Sequence, residues 1–223
     1  MIEVRDPELR DFIDIWHRPV DDELAALRRS NESEGVPLIL TETESMLRLL
    51  LDMKKPERIL ELGTAHGYSA LFFAKYCPDA IVTTIDRNPG MTEYARANFE
   101  RMSDGSRIDF RIGDALDVLD SLAEETAAPD GKKFDFVFID AGKSHYREFL
   151  EKCEGICTED AFVVCDNILL KGWLIESSGK EARRHRTNIK YMRQFLEYIS
   201  RREDLDVTIL SGGDGLAVIR FRK

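Results

Sequence analysis

Two rhythms of apolar residues divide the chain. Toward the N-terminus they recur every three or four positions, which predicts helices over about residues 7–16 and 21–34. The stretch GVPLILTETESMLRLLLDM then passes from an extended lead-in to a third helix. Thr41 or Thr43 is its expected cap, and Met46, Leu47, Leu50 and Leu51 form its apolar stripe. From residue 58 the rhythm shortens. RILEL (58–62), AIVTTI (80–85), RIDFRI (107–112), FDFVFI (134–139) and AFVVC (161–165) read as strands. Between them lie the helical stretches SALFFAKYC, GMTEYARANFERM, ALDVLDSLAEET and YREFLEKCEGI. Such alternation predicts parallel strands joined by crossover helices, hence an α/β fold. The tail breaks the alternation: helix NIKYMRQFLEYISRR precedes DVTIL and LAVIRF, joined by SGGDG, which predicts an antiparallel hairpin at the sheet edge.

Composition narrows the class without changing this picture. The 223 residues suit one domain, with N-terminal helices over 1–52 and an α/β core over 53–223. Apolar residues at 43% and charged residues at 33% exclude a mostly disordered chain. No apolar run approaches the roughly 20 residues of a membrane span, and MIEVRDPELR is charged where a leader needs an apolar region. A cytoplasmic protein with no membrane partner is expected, with Cys77, Cys153, Cys157 and Cys165 as reduced thiols.

Charge is unevenly placed. The formal net charge is -10, which repels nucleic acid in general. From Lys171 to Lys190, however, six basic residues (Lys171, Lys180, Arg183, Arg184, Arg186, Lys190) face two acidic ones (Glu176, Glu181), a local balance of +4. A solvated helix face accounts for such an island as readily as a binding surface does.

The chemistry sits at strand ends. Gly63 and Gly67 bracket a turn from the first strand into a helix, so that backbone can approach a ligand at a helix N-terminus. The middle glycine of a dinucleotide loop is replaced by Ala65, which favours a nucleoside over a diphosphate. The second strand ends on Asp86, placed for ribose hydroxyls, and the third runs into Asp114-Ala115, beside an adenine position. Asp140 ends the fourth strand with Lys143 three places on, and Asp166-Asn167 ends the fifth. Two carboxylates and a carboxamide suit a hard divalent cation, Mg2+ first, or Mn2+ or Ca2+. A turn pair and a helix cap are the bland account of the same residues.

Taken together, Glu61-Leu-Gly63-Thr-Ala-His-Gly67-Tyr-Ser, Thr84-Ile-Asp86-Arg and Gly113-Asp-Ala115 resemble the S-adenosylmethionine site of class I methyltransferases. They are most similar to the metal-dependent O-methyltransferases of the catechol and caffeoyl-CoA type. The resemblance implies a Rossmann-like, seven-stranded, mostly parallel sheet with an antiparallel C-terminal hairpin strand and helices on both faces. It implies that Ser69 and the Gly63 loop hold the methionine end, Asp86 the ribose, Asp114 and Ala115 the adenine, and that Ile39 lines the cofactor. Glu61, Gly67, Tyr68, Arg87 and Asp140 belong to the same implied cofactor set. Asp140, Asp166 and Asn167 map onto metal ligands, Lys143 onto the catalytic lysine beside Asp140, and a homodimer is implied.

Asp166-Asn-Ile-Leu-Leu-Lys-Gly172, EARRHR and Gly213-Asp-Gly-Leu-Ala-Val are further similar to the bacterial tRNA 5-hydroxyuridine methyltransferases. That resemblance implies methylation of a wobble 5-hydroxyuridine to 5-methoxyuridine. Lys171, Arg183, Arg184 and Arg186 would then hold anticodon-loop phosphates, with Trp173 stacking on a base or serving as a packing residue. A small catechol-like substrate is the alternative, and a non-catalytic nucleoside-binding domain is the third. His66 and His145 lack metal-ligand spacing and take no role.

Overall fold

The computed structural model describes residues 7–175 and 180–222. Three helices lead: α1 (Pro7–Asp14), α2 (Asp22–Ser33) and α3 (Thr41–Lys54). Asp21 caps α2 by accepting from the Leu24 N–H at 2.8 Å. Neither threonine caps α3. Leu40 holds the cap position without a side-chain bond, because the helix already includes Thr41, whose hydroxyl is spent on Asp14 of α1. Thr43 is buried within the helix. The first helix also stops at Asp14, with Trp16 and His17 turning back onto Ile13 and Asp14.

The alternating part follows as β1 (Arg58–Leu62), α4 (Tyr68–Tyr76), β2 (Ile81–Asp86), α5 (Pro89–Arg101), β3 (Ile108–Ile112), α6 (Ala115–Ala127), β4 (Phe134–Ile139), α7 (Tyr146–Ile156) and β5 (Cys157–Asp166). Strand β5 begins four residues before the expected Ala161. Its first residue pairs with Phe134 across a bulge, while the exposed Glu159 and Asp160 hide that extension from an apolar reading. A short helix α8 (Lys180–Arg184), absent from the sequence reading, precedes α9 (Arg186–Arg201); β6 (Leu205–Leu210) and β7 (Leu216–Phe221) close the chain. Glu176 of the basic island lies outside the described residues, and so does the side chain of Glu181.

The seven strands form one sheet in the order β3-β2-β1-β4-β5-β7-β6, parallel through β5 and antiparallel where β7 pairs with β5 and β6. The hairpin thus inserts its second strand inward and leaves β6 at the edge. Helices cover both faces. Leu119, Leu122, Phe149, Leu150, Met192 and Phe195 of α6, α7 and α9 pack on one side. Leu47, Leu51, Phe72, Phe73, Ala95 and Phe99 of α3, α4 and α5 pack on the other. This double cover is why β4 is apolar at every position but Asp135. From β1 the chain winds outward to β2 and β3, then returns to β4 on the other flank. Such a switch point opens a crevice beyond the carboxyl ends of the strands. Among the described residues no helix is long and apolar enough to cross a membrane.

Candidate active site

A cavity of about 550 Å3 fills that crevice. Its first wall is the loop after β1. Gly63 has φ +106°, and a Cβ there would run into the Asp140 backbone carbonyl, so the missing side chain lets the β1 loop touch the end of β4. Ala65 is left-handed (φ +46°) without being glycine. Asp86 holds it there: its Oδ2 accepts from the N–H groups of Thr64 (3.1 Å) and Ala65 (2.9 Å), and its Oδ1 from Asn88 (2.9 Å). The acid expected to grip a ribose therefore also fixes the loop that carries the turn. Asp114 caps α6 through the Leu116 N–H at 3.0 Å and pairs with Arg87 at 2.6 Å at the cavity rim.

Behind this wall, Glu61 is fully buried and does not line the cavity. Burial pushes its carboxyl up to about 7; the Ser69 and Thr84 hydroxyls pull the other way, and the charges of Asp140 and Asp86 raise it further. A second buried acid, Glu44 of α3, anchors the N-terminal side. Arg28 of α2 donates to Glu44 (2.5 Å), the Tyr68 hydroxyl (3.1 Å) and the Ile39 carbonyl (3.0 Å), and the Tyr68 hydroxyl donates to Glu44 (2.7 Å). Burial alone would raise the Glu44 carboxyl, but bonds from His17, Tyr68 and Arg28 carry it below its ordinary value. These contacts seat Ile39 and Tyr68 in the cavity lining.

The second wall comes from β4 and β5. Lys143 Nζ lies 2.5 Å from Asp140 Oδ1, 2.8 Å from Asn167 Oδ1 and 2.8 Å from the Tyr146 hydroxyl. Tyr146 is buried, within reach of the backbone carbonyls of Asp166 (2.8 Å) and Ile139 (3.2 Å), and so ties the two strand ends together. Asp166 Oδ1 accepts from the Asn167 N–H at 2.6 Å, whereas its Oδ2 is buried with no hydrogen-bond partner among the described residues. Burial first, and the Asp140 charge second, push the Asp166 carboxyl up to about 7. Among the described residues no three His, Cys, Asp or Glu side chains group as a metal set; the oxygen donors here are two carboxylates and one carboxamide.

The sequence-predicted residues are largely brought together. Ile39, Gly63, Tyr68, Ser69, Asp86 and Arg87 line the cavity on one side, and Asp114, Ala115, Asp140, Lys143 and Asn167 complete it. Gly67 and Asp166 stand behind the lining. Gly67 caps α4 at φ +83°, where a Cβ would meet the Phe99 ring. The basic island lies outside the cavity: Lys171, Arg183, Arg184 and Arg186 are exposed. Trp173 stacks on His185 (ring centroids 4.5 Å apart, planes 14° apart), so one of its faces is already covered.

Other residues escaped the sequence reading. Tyr146 carried a signal, three places after Lys143, whereas Arg28 and Glu44 carried none short of the fold. His66, stacked on Tyr94, and His145, paired with Glu148, both line the cavity.

Residues 21–222 match a family described as O-methyltransferase. The chain is 30% identical over 193 residues to a catechol O-methyltransferase of Niastella koreensis, covering 85% of this chain and 83% of that one. It is 28% identical over 224 residues to a catechol O-methyltransferase of Mycobacterium tuberculosis, covering 97% and 96%. An O-methyltransferase from Bacillus cereus solved in complex with SAH shares the fold at a TM-score of 0.80 and 25% identity, covering 96% of this chain and 97% of that one. With a glycine loop, strand-end acids and a crevice at the switch point, the chain belongs to this O-methyltransferase family and is an S-adenosylmethionine-dependent O-methyltransferase.

Proposed function

We propose that the enzyme methylates the 5-hydroxyl of 5-hydroxyuridine at the tRNA wobble position, producing 5-methoxyuridine. The Trp173–His185 stack carries this reading. It ties the loop that follows Asp166-Asn167 to His185, which stands between the helices bearing Arg183, Arg184 and Arg186, so the exposed basic residues are joined to the loop that leaves the β5 end. On a chain of net charge -10, a polyanion needs such a local patch. The 5-hydroxyl and the neighbouring 4-carbonyl of the base also present two adjacent oxygens, as a catechol does.

The residues at the β4 and β5 ends fit a hard divalent cation. Asp140 and Asn167 oxygens already converge on one positive charge, the Lys143 ammonium, and Asp166 Oδ2 is buried without a partner among the described residues. Mg2+ is the first candidate, with Mn2+ or Ca2+ suited by the same chemistry. Bound by Asp140, Asp166 and Asn167, such a cation supplies charge that eases loss of a proton from a hydroxyl. In its neutral amine form Lys143, steered by Asp140, Asn167 and Tyr146, would accept that proton and become the ammonium. The oxygen lone pair then forms the new O–C bond as the C–S bond breaks, and the bonding electrons stay on sulfur, leaving a neutral thioether. Most of the task is positioning: the β1 loop holds the methyl donor, the β4–β5 ends hold the acceptor, and the close approach at Gly63 sets the two walls together.

A small vicinal diol is the second reading, favoured by the names of the relatives and by a cavity of about 550 Å3, ample for a small ligand. Family membership sets the non-catalytic reading aside. Mass spectrometry of nucleosides from hydroxylated tRNA, after incubation with enzyme, S-adenosylmethionine and Mg2+, tests the proposal. Conversion to 5-methoxyuridine that is lost in EDTA supports it; turnover of catechol with none on tRNA overturns it. Replacing Arg183, Arg184 and Arg186 together by Glu is expected to abolish tRNA methylation while sparing catechol. Equal loss on both substrates would make the island a structural feature.

A further inference from the structure

Unusual backbone is concentrated just after the Asp166-Asn167 pair. Asn167, Leu170 and Lys171 all have positive φ (57°, 48° and 56°), and Gly172 follows at 80°. L side chains avoid this region, and three such residues within five positions persist only where the surroundings hold them. The hold comes from the Gly213-Asp214-Gly215 turn between β6 and β7, a motif that the chemistry above leaves unused.

Asp214 is 5% exposed, and its Oδ1 accepts from the Lys171 N–H at 2.7 Å. Its backbone carbonyl accepts from the Leu169 N–H at 2.9 Å, and that of Gly215 from the Ile168 N–H at 3.1 Å. The turn can come this close only because its neighbours are glycines. A Cβ on Gly215 (φ +80°) would run into the Leu169 side chain, and one on Gly213 (φ +62°) into Thr43 Oγ1. On its other side the Gly213 N–H donates to Glu42, in the first turn of α3, directly after the cavity-lining segment that ends at Ile39. One turn thus grips both the strained loop and the helix that follows the cofactor wall.

We propose that Asp214 is a positioning residue for the methyl-transfer reaction. By holding the Lys171 N–H it locks the left-handed loop, and the locked loop keeps Asp166 and Asn167 aimed beside Asp140 and Lys143 and keeps Trp173 on His185. The inference rests on the cation reading of that site, but the backbone it describes can be measured independently.

The test uses the full-length chain, Mn2+ as the probe cation, SAH as the cofactor probe and amide hydrogen exchange over residues 167–173. In Asp214→Ala, exchange at Leu169 and Lys171 is expected to speed up, Mn2+ affinity to fall about tenfold or more, and SAH affinity to stay unchanged. Asp214→Asn keeps an acceptor without the charge, and both effects should shrink without vanishing. Adding Lys171→Gly to Asp214→Ala should restore much of the Mn2+ affinity, because glycine adopts positive φ without strain. That rescue is one a purely structural role in the hairpin would not produce.

Unchanged exchange and unchanged Mn2+ binding in a folded Asp214→Ala overturn the inference. If that variant does not fold, the same two null results in Asp214→Asn overturn it. An unsubstituted protein that binds no Mn2+ contradicts the cation reading instead, and the exchange of the two amides then decides the role of Asp214 by itself.

Discussion

The loop after β1 and the loop after β5 solve one problem in the same way and then diverge. Each carries left-handed backbone at residues other than glycine, Ala65 in the first and Asn167, Leu170 and Lys171 in the second, and in each an aspartate from elsewhere accepts loop N–H groups: Asp86 from Thr64 and Ala65, Asp214 from Lys171. After β1 the product is a wall of backbone and short side chains, whose acids are engaged with its own amides or buried behind it. After β5 the product is a wall of concentrated charge, with Asp140 and Lys143 in contact and one Asp166 oxygen buried with no hydrogen-bond partner among the described residues. On the proposed function the difference follows the chemistry each wall would serve. A nucleoside carrier of a methyl group needs shape and close approach, whereas a hydroxyl needs a field and a proton acceptor before it attacks carbon.

Substitutions that should affect one wall and spare the other put this division to the test. The largest effect is expected from Lys143→Met: kcat should fall by about 10²–10⁴ with SAH affinity unchanged in calorimetry. Parallel loss of SAH binding would mean that the walls are not separable. On the opposite side, Arg28→Met leaves Glu44 buried without its cation and should cost about 3–5 kcal/mol in urea unfolding, raising KM for S-adenosylmethionine but not for the hydroxyl substrate. A rise in the acceptor's KM alone would break the comparison there.

A smaller effect is predicted from pH. The Glu61 carboxyl sits near 7 in the fold against an ordinary 4.5, so the folded state holds a proton that the unfolded chain releases. That contribution is fully present below about 4.5 and is lost as pH rises through about 7, an upper bound of about 3 kcal/mol at 1.36 kcal/mol per unit. Glu61→Gln cannot ionise, so its stability should fall less between pH 5 and pH 8 than that of the unsubstituted protein, measured on the cofactor-free chain. Asp166, raised to about 7 with the same sign, keeps the remaining slope from vanishing. Identical slopes in the two proteins would contradict the buried-acid account of the first wall.

The wall after β1 was legible in the sequence because its demands fall on single positions next to strand ends. Gly63 permits a close approach, Gly67 caps a helix, and Asp86 and Asp114 end or follow their strands. The charged wall was legible in its residue types, Asp140, Lys143, Asp166 and Asn167, but not in what holds them. Tyr146 acts by touching two strand ends at once, and Asp214 acts from 43 positions away. Local reading failed where side chains found unexpected partners. Thr41 turned to α1 instead of capping α3. The early part of β5 stayed hidden because its outward residues are acidic.

The central claim is that the oxygens of Asp140, Asp166 and Asn167 form one cation site beside Lys143. Anomalous diffraction from crystals soaked in Mn2+ and SAH tests it most directly. The account predicts one strong peak enclosed by those three side chains, with the Lys143 amine displaced from between Asp140 and Asn167. A peak elsewhere, or none with SAH fully bound, would contradict it.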